Sequence, residues 1–240
     1  MGSINDSLTM NGGTYDLNGN TGLGCANFNG ATSAQLVNNG TNNVTYVIGN
    51  NNGTGGNFQG VIADHTTGTG TISLTKVLSG TLTLSGANTY TGNTTVNGGT
   101  LIITQPTFAT NSTVTVAGGA FLQLDFSATN TVAGLVLNGV SQAPGIYDST
   151  SGSPNITGSG ALNVVPLVAS NPTNIIYSVS GNTLNLSWPA DHLGWLLQSN
   201  SINLAISNDW FDITNTATVT NYSITVDATM TNVFYRMRKP

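Results

Sequence analysis

The sequence predicts an all-β protein: a parallel β-solenoid over residues 1–165, a linker at 166–172 and a small antiparallel β-sandwich over 173–240. Three observations point there. Thr, Asn, Val, Ser and Gly dominate, residues of strands and turns rather than of helices. Apolar side chains recur at every second position through much of the chain, the period of a strand with one buried face. Two similar corners, Val96-Asn-Gly-Gly99 and Val116-Ala-Gly-Gly119, lie 20 residues apart, a repeat longer than hairpin spacing.

Composition excludes several function classes. Only 5% of the 240 residues are charged, against roughly 25% in an ordinary soluble domain. Disorder does not follow, because 38% of residues are hydrophobic and spaced to build cores. The nine acidic groups are all Asp, and the four basic ones are Lys76 and a terminal cluster of Arg236, Arg238 and Lys239, which leaves no footprint for nucleic acid. No apolar run approaches the roughly 20 residues of a membrane-spanning helix. The opening MGSINDSL lacks the basic and apolar regions of a signal peptide. Cys25 is the single cysteine, so an internal disulfide and any multi-cysteine metal site are excluded, and a small buried apolar role is expected for it. Asn43, Asn93, Asn111 and Asn221 head Asn-x-Ser/Thr sequons of the kind that arise by chance in so Asn- and Thr-rich a chain.

Within the solenoid, Gly80-Thr-Leu-Thr-Leu-Ser-Gly86 places Leu82 and Leu84 on one face and Thr81, Thr83 and Ser85 on the other. Thr113-Val-Thr-Val116 repeats the pattern with Val114 and Val116 inward. One face is core, the other hydroxyl. Stacked coils account for the fixed period, the double glycines at equivalent corners and the scarcity of charge, since like charges stacked about 4.8 Å apart repel. Coils of about 20 to 25 residues give about six or seven turns.

The stretch Ile72-Ser-Leu-Thr-Lys-Val-Leu-Ser-Gly-Thr-Leu-Thr-Leu-Ser-Gly-Ala-Asn-Thr-Tyr-Thr-Gly-Asn-Thr-Thr-Val-Asn-Gly-Gly-Thr-Leu101 resembles the autotransporter-associated β-strand repeat, also called the passenger-associated transport repeat. Asn57-Phe-Gln-Gly-Val-Ile-Ala-Asp64 and Leu137-Asn-Gly-Val-Ser-Gln-Ala-Pro-Gly-Ile-Tyr147 resemble its usual surroundings in large secreted bacterial proteins. The resemblance implies a right-handed parallel β-helix exported to the bacterial cell surface. It supplies no catalytic residues, and no terminal segment reads as a membrane β-barrel.

Two prolines, Pro166 and Pro172, bracket the expected linker. Beyond it, six short strands are expected around residues 175–180, 183–188, 194–199, 210–213, 222–227 and 233–238, with all three Trp residues supplying an aromatic core. Leu186-Ser-Trp-Pro-Ala190, Asn208-Asp-Trp210 and Val233-Phe-Tyr-Arg236 resemble C-terminal modules of verrucomicrobial secreted repeat proteins, a likeness that implies architecture only.

Parallel β-helices also carry polysaccharide lyases and hydrolases, whose chemistry needs clustered carboxylates, or a carboxylate with a base, on one face. Asp6, Asp16, Asp64, Asp125 and Asp148 are spread along the solenoid. Asp64-His65 is its one adjacent acid and base, and neighbouring strand residues point oppositely, so a solvated loop is expected. Asp191-His192, between Pro189 and Gly194, reads as a polar turn. Asp209 and Asp212 flank Trp210-Phe211, and carboxylates beside an aromatic platform suit a metal or a sugar hydroxyl. Asp209, Trp210 and Asp212 are therefore the candidate glycan-binding residues, weighed against a core role for Trp210. No calcium nonapeptide of the Gly-Gly-x-Gly-x-Asp type occurs, and Asn51-Asn-Gly-Thr-Gly-Gly56 lacks the Lys and helix of a phosphate loop. No catalytic residue, cofactor or metal is expected.

The expected function is that of a non-enzymatic, secreted or cell-surface structural protein. Its partners would be copies of itself, joined head-to-tail between solenoid ends or by strand exchange through the N-terminal segment. An adhesin with a glycan or cell-surface partner is the alternative, and a polysaccharide lyase or hydrolase the second.

Overall fold

A computed structural model describes residues 6–49, 53–165, 173–202, 204, 206, 209–227, 229 and 232–240. The expected linker lies outside the described residues. The chain divides into two compact units, Met1–Pro166 and Leu167–Pro240.

In the first unit each strand meets its counterpart one coil later. The first three coils have three strands each: β1 Leu8–Met10, β2 Gly13–Asp16 and β3 Gly24–Cys25; β4 Phe28–Gly30, β5 Ala34–Val37 and β6 Val44–Ile48; β7 Gly55–Phe58, β8 Val61–Ile62 and β9 Ile72–Lys76. Two leaner coils follow, β10 Thr81–Leu84 with β11 Thr94–Val96, then β12 Thr100–Ile103 with β13 Thr113–Val116. The last turns hold β14 Phe121–Leu124, β15 Thr129–Val132, β16 Gly134–Leu137, β17 Val140–Ser141, β18 Gly145–Tyr147, β19 Ile156–Gly158 and β20 Ala161–Val164.

These strands form two seven-stranded sheets, ordered β1-β4-β7-β10-β12-β14-β19 and β17-β16-β13-β11-β9-β6-β3, with the three-stranded β2-β5-β8 and β15-β20-β18 beside them. Pairing is parallel except where β17 turns back on β16 and β18 on β20. This is the stacked-coil solenoid that the alternation and the period require. The period itself is not constant. Thr81 pairs with Thr100 and Thr100 with Phe121, but Gly55 pairs with Thr81 and Leu122 with Ile156. Coils therefore lengthen at their corners, where no ladder is disturbed, and the excursion through β17 and β18 enlarges the last.

Inward side chains stack in columns. Phe58, Leu84, Ile103 and Leu124 are successive partners in the first sheet, and each is almost wholly buried. Fully burying a Leu or Ile contributes about 1.5–3 kcal/mol, so these columns outweigh the weak strand propensities of single residues. Phe28 stacks on Phe58 with ring centroids 4.1 Å apart and meets Tyr46 edge-on at 5.6 Å. Glycine is required where coils touch: a Cβ on Gly86 would lie 1.8 Å from the Gly60 carbonyl oxygen.

The second unit holds β21 Ile176–Ser180, β22 Thr183–Ser187, a 3-10 turn at Ala190–His192, β23 Leu196–Asn200, β24 Phe211–Asp212, β25 Asn221–Thr225 and β26 Phe234–Arg238. They form two antiparallel sheets, β21-β22-β25 and β24-β23-β26. Leu186 and Trp188 from one side and Leu197 from the other make a shared core, joined by Ile213, Tyr222, Tyr235 and Met237. The aromatic expectation needs correction. Trp188 belongs to that core, Trp195 is buried outside it against His192, and Trp210 is half-buried and also outside it.

Candidate functional site

At a solenoid corner the backbone turns away from its ladder, and N–H groups that leave it take other acceptors. Asparagine supplies them. Asn27 Oδ1 accepts from the Thr54 N–H at 2.6 Å and the Gly55 N–H at 3.1 Å; Asn39 Oδ1 accepts from Thr66 and Thr67 at 2.8 and 3.0 Å. Asn43 serves Thr71 at 3.0 Å, and Asn93 serves Thr113 at 2.8 Å. Each bond reaches to the next coil. Two of the sequon asparagines are thus corner acceptors.

Asp64 belongs to the same system, which overturns the solvated-loop expectation. It is 8% exposed and takes the Ile72 N–H at 2.8 Å on Oδ1, the Thr91 N–H at 3.1 Å on both oxygens and the Thr91 hydroxyl at 2.6 Å on Oδ2. A carboxylate holding two coils together is fully committed to that task. His65 is exposed, with Nδ1 3.1 Å from the Gly70 carbonyl oxygen. Asp16 is engaged likewise: its slight burial opposes ionisation, but N–H bonds from Asn39 and Asn18 prevail and hold its pKa below the usual value.

Lys76 was not singled out by motif, yet it is the most unusual side chain of the solenoid. It is 0% exposed, in the inward column between Ile48 and Val96. Its Nζ donates to the carbonyls of Val77 at 2.7 Å, Leu78 at 3.1 Å and, one coil on, Gly98 at 3.3 Å. Desolvation pushes its pKa below the ordinary lysine value. The signal for its burial was parity, since Ile72, Leu74 and Lys76 share one face. Cys25 is buried as expected, and desolvation lifts its thiol to about pKa 11. A buried, protonated thiol is a poor nucleophile.

In the second unit the three candidate glycan residues lie on or beside β24 among basic partners. The Arg236 guanidinium sits 4.2 Å from the Trp210 ring centroid, and its Nε donates to Gln198 Oε1 at 2.8 Å. Gln198 Nε2 donates to Asp212 Oδ1 at 2.7 Å and Arg238 to Asp212 Oδ2 at 2.9 Å. The bonds from Arg238, then Gln198, hold the Asp212 carboxyl below its usual pKa. Trp210 and Asp212 are therefore joined through Arg236 and Gln198 in one surface network, with Asp209 half-buried next to it. At the other turn, His192 is buried against Trp195, with Nδ1 2.8 Å from Asp191 Oδ1, so this turn is less solvated than expected. Among the described residues no three His, Cys or Asp groups gather as metal ligands, and no helix is long and apolar enough to cross a membrane.

Residues 74–103 match the family model described as the passenger-associated-transport-repeat. The match spans β10, β11 and β12, the leanest coils, and covers about an eighth of the chain. No curated protein and no solved structure shows significant similarity to the chain.

Proposed function

We propose that this protein is a secreted, surface-presented structural subunit of bacterial origin that associates with copies of itself. One observation carries the surface assignment: a passenger-type repeat lies in register at the centre of a continuous parallel solenoid. Export as an extended chain suits such a fold, because each coil needs only its neighbour to be buried. A right-handed wind accords with the sense that parallel crossovers take. The structural reading is favoured over catalysis by Asp64 and Lys76, whose charged groups bind neighbouring coils.

Self-association is supported by β21. All five of its residues are exposed, it is an edge strand, and Ile176, Tyr177 and Val179 are 66%, 72% and 63% exposed. An exposed apolar edge is a template for another strand unless it is blunted by charge or proline, and β21 carries neither. At the solenoid's far end, antiparallel β17 and β18 occupy the ladders of β16 and β20, which disfavours head-to-tail continuation there.

Size-exclusion chromatography with light scattering, followed by electron microscopy, tests this function. Oligomers that grow with concentration and are lost in Tyr177→Lys are expected. A monomer at high concentration overturns the assembly reading. Glycan-array binding abolished by Trp210→Ala in a folded chain would instead favour the adhesin.

A further inference from the structure

The outer face of the second large sheet carries a two-dimensional array of hydroxyls. Thr75 pairs with Thr95 and Thr95 with Thr115, in register across β9, β11 and β13. Parallel to this column, Thr45 of β6 pairs with Ser73, and Thr113 occupies the corresponding outward position of β13. Asn93 fills the rung between Ser73 and Thr113, its backbone carbonyl accepting from Leu74 and its Oδ1 from the Thr113 N–H. Val47 and Val136 border the Thr75 column at either end. No charged or aromatic side chain points outward from β6, β9, β11, β13 or β16.

Among the described residues these hydroxyls serve no coil. Elsewhere threonines serve the coils: Thr54 and Thr66 bond corner asparagines, Thr91 bonds Asp64, and Thr94 lies inside against the Tyr90 hydroxyl. The hydroxyls of Thr75, Thr95, Thr115, Ser73 and Thr113 bond no group among the described residues. Each Thr offers one donor, two acceptors and a methyl, on a β-branched side chain that the pleat holds in few rotamers. Strand pairing spaces them about 4.8 Å apart along a column and about 6.6 Å between columns. Both separations lie near repeat distances between oxygen atoms in hexagonal ice.

We infer that this Thr face binds ordered water, and that its ligand is the surface of an ice crystal. Methyl groups order the water above them while the hydroxyls anchor it, and the rigid sheet sets the order in advance of binding. The lack of aromatic rings and of arginine disfavours a protein partner, since interface cores are enriched in both. The inference is independent of self-association: it needs only the folded solenoid.

The test uses the full chain in ice-affinity partitioning and in thermal-hysteresis measurement with observation of crystal shape. Enrichment in slowly grown ice and faceted crystals are expected. Thr95→Lys, at the centre of the array, should abolish both, while Thr83→Lys, outward on the other large sheet, should retain them. Circular dichroism melts establish that each variant is folded; Thr115→Lys replaces Thr95→Lys if that chain does not fold. Exclusion of the wild type from ice overturns the inference, as does equal activity of the Thr95 and Thr83 variants. Thr95-dependent retention on crystalline polysaccharide without any effect on ice would also overturn it, assigning the face to a polymer.

Discussion

Single residues in this chain are set by whether their polar atoms can be satisfied inside a coil. Lys76 shows the balance. Desolvating an ammonium costs several kcal/mol, and three bonds to carbonyls, each contributing about 1.5–3 kcal/mol when one partner is charged, are needed to offset it. Cys25 is the simpler case, buried neutral with no charge to compensate, and it gives a signed pH dependence. Its folded pKa of about 11 lies above the ordinary 9.0 of an unfolded thiol. Between those values the folded state holds more protons than the unfolded state, so stability present below pH 9 is lost as pH rises toward 11. Tyr90, lifted to about 12 by burial, extends the same trend upward. Lys76, with its depressed pKa, acts in the opposite sense but is common to both proteins, so the urea-unfolding midpoint of the wild type should fall relative to that of Cys25→Ala as pH rises from 9 toward 11. Midpoints that change with pH identically in the two proteins would mean that the buried thiol does not contribute in this range.

At the level of elements, parity made the strands readable. Leu82 and Leu84, or Val114 and Val116, face inward because nothing competes with a two-residue alternation in so short a segment. The corners were opaque, because Asn27, Asn39 and Asp64 act on residues about one coil away and coil length varies. The adjacent pair Asp64-His65 reads as a solvated loop in the sequence, whereas only the partners Ile72 and Thr91 reveal a staple at Asp64. The Trp210 network was half-visible: aromatic and carboxylates are adjacent in sequence, but Arg236 and Arg238 arrive from β26. Corner glycines offer the sharpest test at this scale. Gly86→Ala places a Cβ against the Gly60 carbonyl backbone, where no flexible side chain can yield. Coils must part locally, and a loss of about 1–3 kcal/mol is expected from overpacking. Gly118→Ala, whose Cβ would meet only the Asn138 side chain at 3.6 Å, should cost far less. Paired thermal melts check the contrast, and equal losses would show that inter-coil contact is not what selects glycine.

Across the whole molecule, the scarcity of charge and the in-register fold are one property. A parallel solenoid sets equivalent positions about 4.8 Å apart, where repeated like charges would repel along every column. Neutral Thr, Asn and Ser supply polarity without that cost. Cohesion then rests on buried apolar columns and on hydrogen bonds, with little contribution from ion pairs. Among the described residues two ionic contacts occur, Asp191 with His192 and Asp212 with Arg238. The second is about two-fifths exposed at each partner, and an exposed pair contributes about 0–1 kcal/mol, less when salt screens it. The net charge of −5 over 240 residues adds only weak self-repulsion. Sodium chloride, raised from low to about 1 M where the screening length falls to about 3 Å, should therefore leave the melting temperature almost unchanged. Sulfate at matched ionic strength should raise it, because exclusion of that ion from the surface strengthens apolar burial. Differential scanning calorimetry in the two salts separates the effects. A marked loss of stability in sodium chloride would show that ion pairing carries the fold; a rise confined to sulfate would show that the apolar columns do.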